Sequence, residues 1–271
     1  MIATAERDAS ALEKRGIMPD SRHENYEILN LIGYGLAKFD MDFVRKFGFS
    51  TKTAFYENMI SKGVADTVGT VKNRQDLFDP FFGNKRKGWW QKGNIYLHRK
   101  AFIDSLFGNY DAGEYVNIVK LYIADKFETA DEVLPKISPI IKSKFKQLQI
   151  TGQEAELFFM QNYLVLEPFK DGILEDARLF GDGFDFQIQI KTKFVLAEVK
   201  GIRAQYGGIR LTENEYMKAR EYKDDYGLIV VSNLAILPKM TAVFNPIATL
   251  ALKKQKTTHK QISYHSASLT W

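Results

Sequence analysis

The chain of 271 residues contains no cysteine, so neither disulfides nor thiolate-bound zinc can hold it together and it must fold on packing alone. Proline (7) and glycine (19) are scarce, and 45% of residues are hydrophobic against 26% charged, which excludes collagen-like, low-complexity and disordered classes. No run approaches the roughly 18–20 apolar residues a membrane-spanning helix needs, and the opening MIATAERDASALEKRG is polar and charged, without the apolar segment of a signal peptide. The chain therefore reads as cytoplasmic, with no membrane partner. At ~100–200 residues per domain its length gives one large or two modest domains.

Net charge is also small, +5, but it is unevenly spread. Lys72, Arg74, Lys85, Arg86, Lys87, Lys92, Arg99 and Lys100 face only Asp76 and Asp79 within residues 72–100, a local excess larger than that of the whole chain. Phe81, Phe82, Trp89, Trp90 and Tyr96 are interleaved with them. Cations that neutralise phosphates beside rings that stack on bases fit a nucleic-acid partner, and Lys85, Arg86, Lys87, Trp90 and Lys92 are the candidate contacts. An ordinary solvated face is the competing reading. In a strand, Trp89 and Trp90 would point to opposite faces, one inward and one outward.

Residues 1–25 are polar and aperiodic, as in a fraying terminus. From Tyr26 the apolar residues Ile28, Leu29, Leu31, Ile32, Leu36 and Phe39 recur at helical spacing. Phe43, Val44 and Phe47 predict a short helix broken at Gly48. Ser50 or Thr51 can cap the next helix, whose apolar side carries Ala54, Phe55 and Met59. The pair fits a helix-turn-helix with Ser50–Lys62 reading DNA and Ser50, Thr51 and Lys52 at its leading end, although any α-hairpin gives the same pattern. Residues 114–126 predict another amphipathic helix. Pro135, Pro139 and the lysines of 128–146 mark a boundary, which divides the chain into a mainly helical recognition domain, 1–135, and a second domain, 136–271.

In that second domain Phe184, Phe186, Ile188 and Ile190 alternate with Asp185, Gln187 and Gln189, while Val195, Ala197 and Val199 alternate with Leu196, Glu198 and Lys200. Two period-2 strands around a turn near Thr192-Lys193 form a hairpin. Pairing Ile190 with Val195, Ile188 with Ala197 and Phe186 with Val199 gives one apolar face, and sets Gln187 against Glu198 and Asp185 against Lys200 on the polar one. Two carboxylates and an ammonium on one open face suit metal-assisted phosphodiester hydrolysis, since Mg²⁺ takes one or two carboxylates and leaves other positions for water and phosphate. A surface ion pair is the plainer reading of E-x-K alone. Gly201 follows Lys200 where the backbone bends or is closely approached, and a helix from Glu213 to Asp225 then precedes a buried strand, Leu228–Val231.

The order helix, hairpin, helix, strand is that of the core of the PD-(D/E)xK nucleases. The ordered set Glu156, Gly181-Asp182-Gly183-Phe184-Asp185, Glu198-Val199-Lys200-Gly201, Leu211-Thr212-Glu213-Asn214-Glu215 and Asn233 resembles the NO VEIN C-terminal type of nuclease domain, over roughly residues 150–235. The N-terminal part, with GYGLAKFD, FGFSTKTAFY and KRKGWWQKG, looks like the leading half of bacterial restriction endonucleases. The resemblance implies an α/β restriction-endonuclease-like catalytic domain behind a helical DNA-binding domain. It further implies a type II site-specific deoxyribonuclease that cuts double-stranded DNA with Mg²⁺ through Asp185, Glu198 and Lys200, with Glu156 in support and Asp185 and Glu198 as metal ligands. Phe184 stands where the superfamily motif has proline. Palindromic sites favour a homodimer. A modification-dependent or repair nuclease, and a non-catalytic DNA-binding regulator, are the alternatives.

Other residues carry two readings each. Glu215 completes a T-x-x-E capping box or belongs to the site; Asp182 is a turn residue or a further ligand. Gln205 and Tyr206 lie in a loop that can reach DNA or face solvent, and Lys253, Lys254, Lys256 and Lys260 contact phosphates or solubilise a late loop. His98, His259 and His265 lack metal-ligand spacing.

Overall fold

The computed structural model describes residues 25–127, 138–256 and 262–266. The expected fraying terminus and the 135/136 boundary thus lie outside the described residues. The helices are α1 Tyr26–Phe39, α2 Met41–Phe47, α3 Lys52–Ser61, α4 Val68–Phe78, α5 Leu97–Phe107, α6 Ala112–Phe127, α7 Pro139–Leu148, α8 Thr151–Asn162, α9 Glu213–Tyr222 and the single turn α10 Pro246–Thr249. The strands are β1 Ile173–Asp176, β2 Phe186–Ile190, β3 Lys193–Gly201, β4 Tyr226–Ser232 and β5 Lys239–Phe244.

The first half is helical. α1 is buried along nearly its whole length because apolar residues occupy all sides of it, and it forms the centre around which α2, α4 and α6 pack. Gly48 ends α2 at φ 108° and Thr51 caps α3 by accepting the Ala54 N–H, so the predicted helix, glycine turn and helix are present. Phe145 and Leu148 carry α7 into this same helical core.

The second half is a five-stranded mixed sheet in the order β1-β2-β3-β4-β5. Only β3 and β4 are parallel, and a parallel neighbour requires a crossover, which α9 supplies. α8 covers one face, where Ala155, Phe158 and Phe159 meet Phe186, Ile188, Val195, Ala197, Val199, Ile229 and Val231. α9 covers the other more thinly, with Ala219 against Leu196 and Tyr226. Helix, hairpin, helix and strand follow as expected; the edge strands β1 and β5 extend that core on both sides. Among the described residues, no helix is long and apolar enough to cross a membrane.

Two local expectations are corrected. Trp89 and Trp90 stand at a 3-10 turn rather than in a strand, with Trp89 packed against the helical core and Trp90 64% exposed. Phe184 leaves the apolar row of β2 and joins the cluster beneath α9, since β2 begins only at Phe186.

Candidate active site

The hairpin turns more tightly than its apolar pattern predicts. Phe186 pairs with Ala197, Ile188 with Val195 and Ile190 with Lys193, leaving Lys191 and Thr192 as the turn, with Lys191 at φ 56°. This register differs by two residues from the expected one. A slip of two leaves every side chain on its original face, so burial could choose the face but not the register. The correction moves the polar partners: Gln187 stands opposite Leu196 rather than Glu198, and continuing the ladder places Asp185 opposite Glu198 rather than Lys200. Asp185 is held there by its N–H donating to Ala197 O at 3.0 Å and its Oδ2 accepting the Val199 N–H at 2.8 Å.

The charges on this face act on one another. Glu198 is only 4% exposed, and burial, reinforced by the Asp185 charge, pushes its carboxyl up to about 8 against the pull of Lys200. Burial, with the charges of Glu156 and Glu215, raises Asp185 to about 6 despite the Val199 hydrogen bond and Lys200. Lys200 Nζ lies 2.5 Å from Glu198 Oε1 and 2.9 Å from Glu215 Oε2. Burial works to neutralise this ammonium, but Glu198 and Glu215 outweigh it and hold Lys200 above the usual lysine range. Burial likewise opposes ionisation of Glu215, and the bonds from Lys200 and the Thr212 N–H prevail, setting its carboxyl below the usual range.

Distant motifs meet here for steric reasons. A side chain at Gly201 would meet Thr151 O at 2.6 Å, so only glycine lets α8 cross β3 directly beyond Lys200. Gly183, at φ 87°, lies against the Asn214 carbonyl, where a Cβ would fall at 2.8 Å. Asn214 Nδ2 donates to Gly181 O at 2.8 Å and Tyr226 OH to Gly183 O at 3.0 Å. The glycine-flanked loop before Asp185 is thereby fixed to the start of α9 and to β4. The two readings of Glu215 are both realised: its Oε2 accepts the Thr212 N–H at 3.0 Å in a capping box and also binds Lys200.

Glu156 sits on α8, the helix on the opposite face. Its Oε2 pairs with Arg178 at 2.9 Å, and its charge reaches Asp185. Arg178 also binds Asp176, at 2.5 Å, and lies 5.2 Å over the Phe186 ring. No sequence pattern points to Arg178, whose partners come from β1, which the pattern did not predict, and from α8. Asp182 is exposed and has no contact with the carboxylates among the described residues; Asn233, at φ 56°, closes a turn by donating to Leu237 O.

Apart from Gln205, five residues after Lys200, the candidate DNA contacts lie far from these residues in the chain. Ser50, Thr51, Lys85, Lys87, Trp90, Lys92 and Gln205 are exposed, whereas Lys52 is ion-paired with Asp40. Arg86 is engaged by Asp79 at 2.7 Å and Asp76 at 3.1 Å, and Arg99 is 1% exposed. The basic run is therefore not one solvated stripe: some of its cations neutralise acids of the same segment or are buried.

Among the described residues, no group of three or more His, Asp or Glu side chains is arranged to hold a metal ion. The donor chemistry still fits a hard divalent cation. Asp185 and Glu198 face each other, burial raises both carboxyls, with the Asp185 charge adding to it at Glu198 and the charges of Glu156 and Glu215 at Asp185, and a cation between them would relieve both. In comparison with known proteins, residues 155–243, from within α8 to within β5, match the family model described as Protein NO VEIN, C-terminal, which supports that domain family for this stretch. No curated protein and no solved structure matches the chain.

Proposed function

We propose that this chain is a Mg²⁺-dependent endonuclease acting on double-stranded DNA, of type II restriction character, with a PD-(D/E)xK catalytic domain. The observation that carries the reading is the placement of Asp185 opposite Glu198 with Lys200 on the same face. Asp185 and Glu198 would hold the ion, which supplies charge stabilisation at the scissile phosphate and a more acidic bound water. The residues do the rest. The Val199 N–H fixes the Asp185 carboxylate, and Glu215, itself anchored at the start of α9, steadies the Lys200 ammonium. From that position Lys200 can orient a water or offset charge developing on the phosphate. Glu156, tied to Arg178, acts on Asp185 through its charge alone. Exposed Lys85, Lys87 and Trp90 are assigned to the duplex, with a second copy of the chain expected at a palindromic site.

The Lys200–Glu198–Glu215 network also favours a second reading, a DNA-binding protein whose ion pairs are structural. One assay separates them: digestion of methylated and unmethylated phage DNA with Mg²⁺ or EDTA, with end mapping of the fragments. Fixed ends that require Mg²⁺ and vanish in Asp185→Ala, Glu198→Ala and Lys200→Ala support the nuclease. Undiminished cutting by these variants, or folded wild-type protein that binds DNA without cutting either substrate, overturns it.

A further inference from the structure

A pocket of about 780 Å³ lies away from the carboxylates, between α1, α4 and the turn Ala235–Leu237 that follows β4. This is the volume of a small-molecule site, and neither Asp185, Glu198 nor Lys200 lines it. Two guanidinium groups do. Arg99 stacks 4.7 Å from the Tyr96 ring centre and is fixed by donating to Leu234 O at 2.5 Å and Ile236 O at 3.3 Å, with Glu154 3.7 Å behind it. Arg74 stacks 5.3 Å from the Tyr26 ring centre and donates to Asn30 Oδ1 at 3.0 Å, but it has no carboxylate within 4 Å among the described residues. Burial, with the nearby Arg99 charge, lowers Arg74 to about 10, as expected of a cation removed from water without an anion.

The remaining lining specifies more than an anion. Trp89 and Tyr96, with ring centres 6.0 Å apart, offer aromatic surface, and Asn73 and Gln91 offer amide donors and acceptors at the mouth. We propose that this pocket binds a nucleotide, its phosphate at Arg74 and its base against Trp89. Inorganic phosphate would leave the rings and amides unused, and an apolar molecule would leave Arg74 without its anion. The same chemistry is presented by a free nucleotide and by one swung out of a DNA strand.

The pocket can be tested without cleavage, in EDTA. Of the three tryptophans, replacing Trp90 and Trp271 by Phe leaves Trp89 as the only reporter. The four deoxynucleoside monophosphates and inorganic phosphate are titrated into this reporter, and duplexes carrying 2-aminopurine into the chain with Trp90 intact. Saturable quenching by a nucleotide, weakened at least tenfold by Arg74→Gln, is the expected result; Gln91→Ala, at an exposed position, should change the order of preference among bases. A rise in 2-aminopurine emission that Trp89→Phe abolishes identifies the extruded source, and nucleotide binding without that rise identifies the free one. The proposal is overturned if no nucleotide perturbs Trp89 in the folded reporter and no duplex shows the 2-aminopurine rise, if inorganic phosphate binds as tightly as nucleotides, or if folded Arg74→Gln binds like the parent. Should Arg74→Gln not fold, unchanged affinity and base preference in both Gln91→Ala and Asn73→Ala overturns it. Because the readouts need no cutting, failure here leaves the nuclease reading standing, and the reverse also holds.

Discussion

Asp185 and Glu198 remain partly protonated near neutrality because both are buried among neighbouring carboxylates, and this sets a direction for stability against pH. Their folded-state pKa values, about 6 and about 8, lie above those of unfolded carboxylates, so their contribution to stability is present at low pH and is lost as pH rises through those values. Asp185→Asn removes one charge while keeping an acceptor for the Val199 N–H. Denaturant unfolding in EDTA should show the variant more stable than wild type at pH 8, by on the order of 1–3 kcal/mol, with the gap shrinking as pH falls through about 6 and closing by about pH 4. Mg²⁺ should narrow that gap by stabilising wild type alone. A gap that is constant from pH 5 to 8 would mean that the Asp185 charge is not the cause.

At the scale of elements, two contacts set the site: α8 crossing β3 at Gly201, and α9 beginning beside Gly183. Gly201→Ala would drive a methyl to within 2.6 Å of the Thr151 carbonyl, where backbone must move, and overpacking of this kind costs about 1–3 kcal/mol. Thr212→Ala removes the hydroxyl that accepts the Glu215 N–H and should cost about 1 kcal/mol as a lost cap. Thermal unfolding of both variants measures these losses. Cutting, if the nuclease reading holds, should fall further in Gly201→Ala, because it displaces the neighbour of Lys200, whereas Thr212→Ala leaves the backbone N–H that also holds Glu215.

Across the whole molecule, the helical half and the sheet are joined by buried polar contacts as well as apolar ones. Arg203, on the loop after β3, binds Glu27 on α1 and donates to Gln149 O at 2.9 Å; Tyr26 donates to Glu154 on α8. The basic segment lies on the helical half, and the distribution of its ion pairs separates two behaviours. Lys85→Ala and Lys87→Ala, at exposed cations that have no ion pair among the described residues, should each flatten the slope of log affinity against log salt by ~0.9 on cognate and random duplexes. Arg86→Ala should act mainly on stability, by roughly 1–3 kcal/mol, because it leaves the buried Asp79 carboxylate less well satisfied. A salt series with parallel unfolding curves distinguishes these outcomes; a wild-type slope in both lysine variants would return the segment to an ordinary solvated face.

Residue pattern alone was enough for several elements and the faces they present. Period-2 alternation set β2 and β3 and put Asp185, Glu198 and Lys200 on one polar face; helical spacing set α1, and T-x-x-E the start of α9. It could not fix the hairpin register, because alternation is unchanged by a slip of two residues and only the tight Lys191-Thr192 turn decides between registers. Nor could it reveal that Glu215 binds Lys200, that Arg178 holds Glu156, or that Arg74 and Arg99 line one pocket, since those partners come from separate elements. Such meetings are decided by helix crossings and loop anchors, at positions such as Gly201 and Gly183 where the absence of a side chain lets two backbones touch, and that closeness exists only in three dimensions.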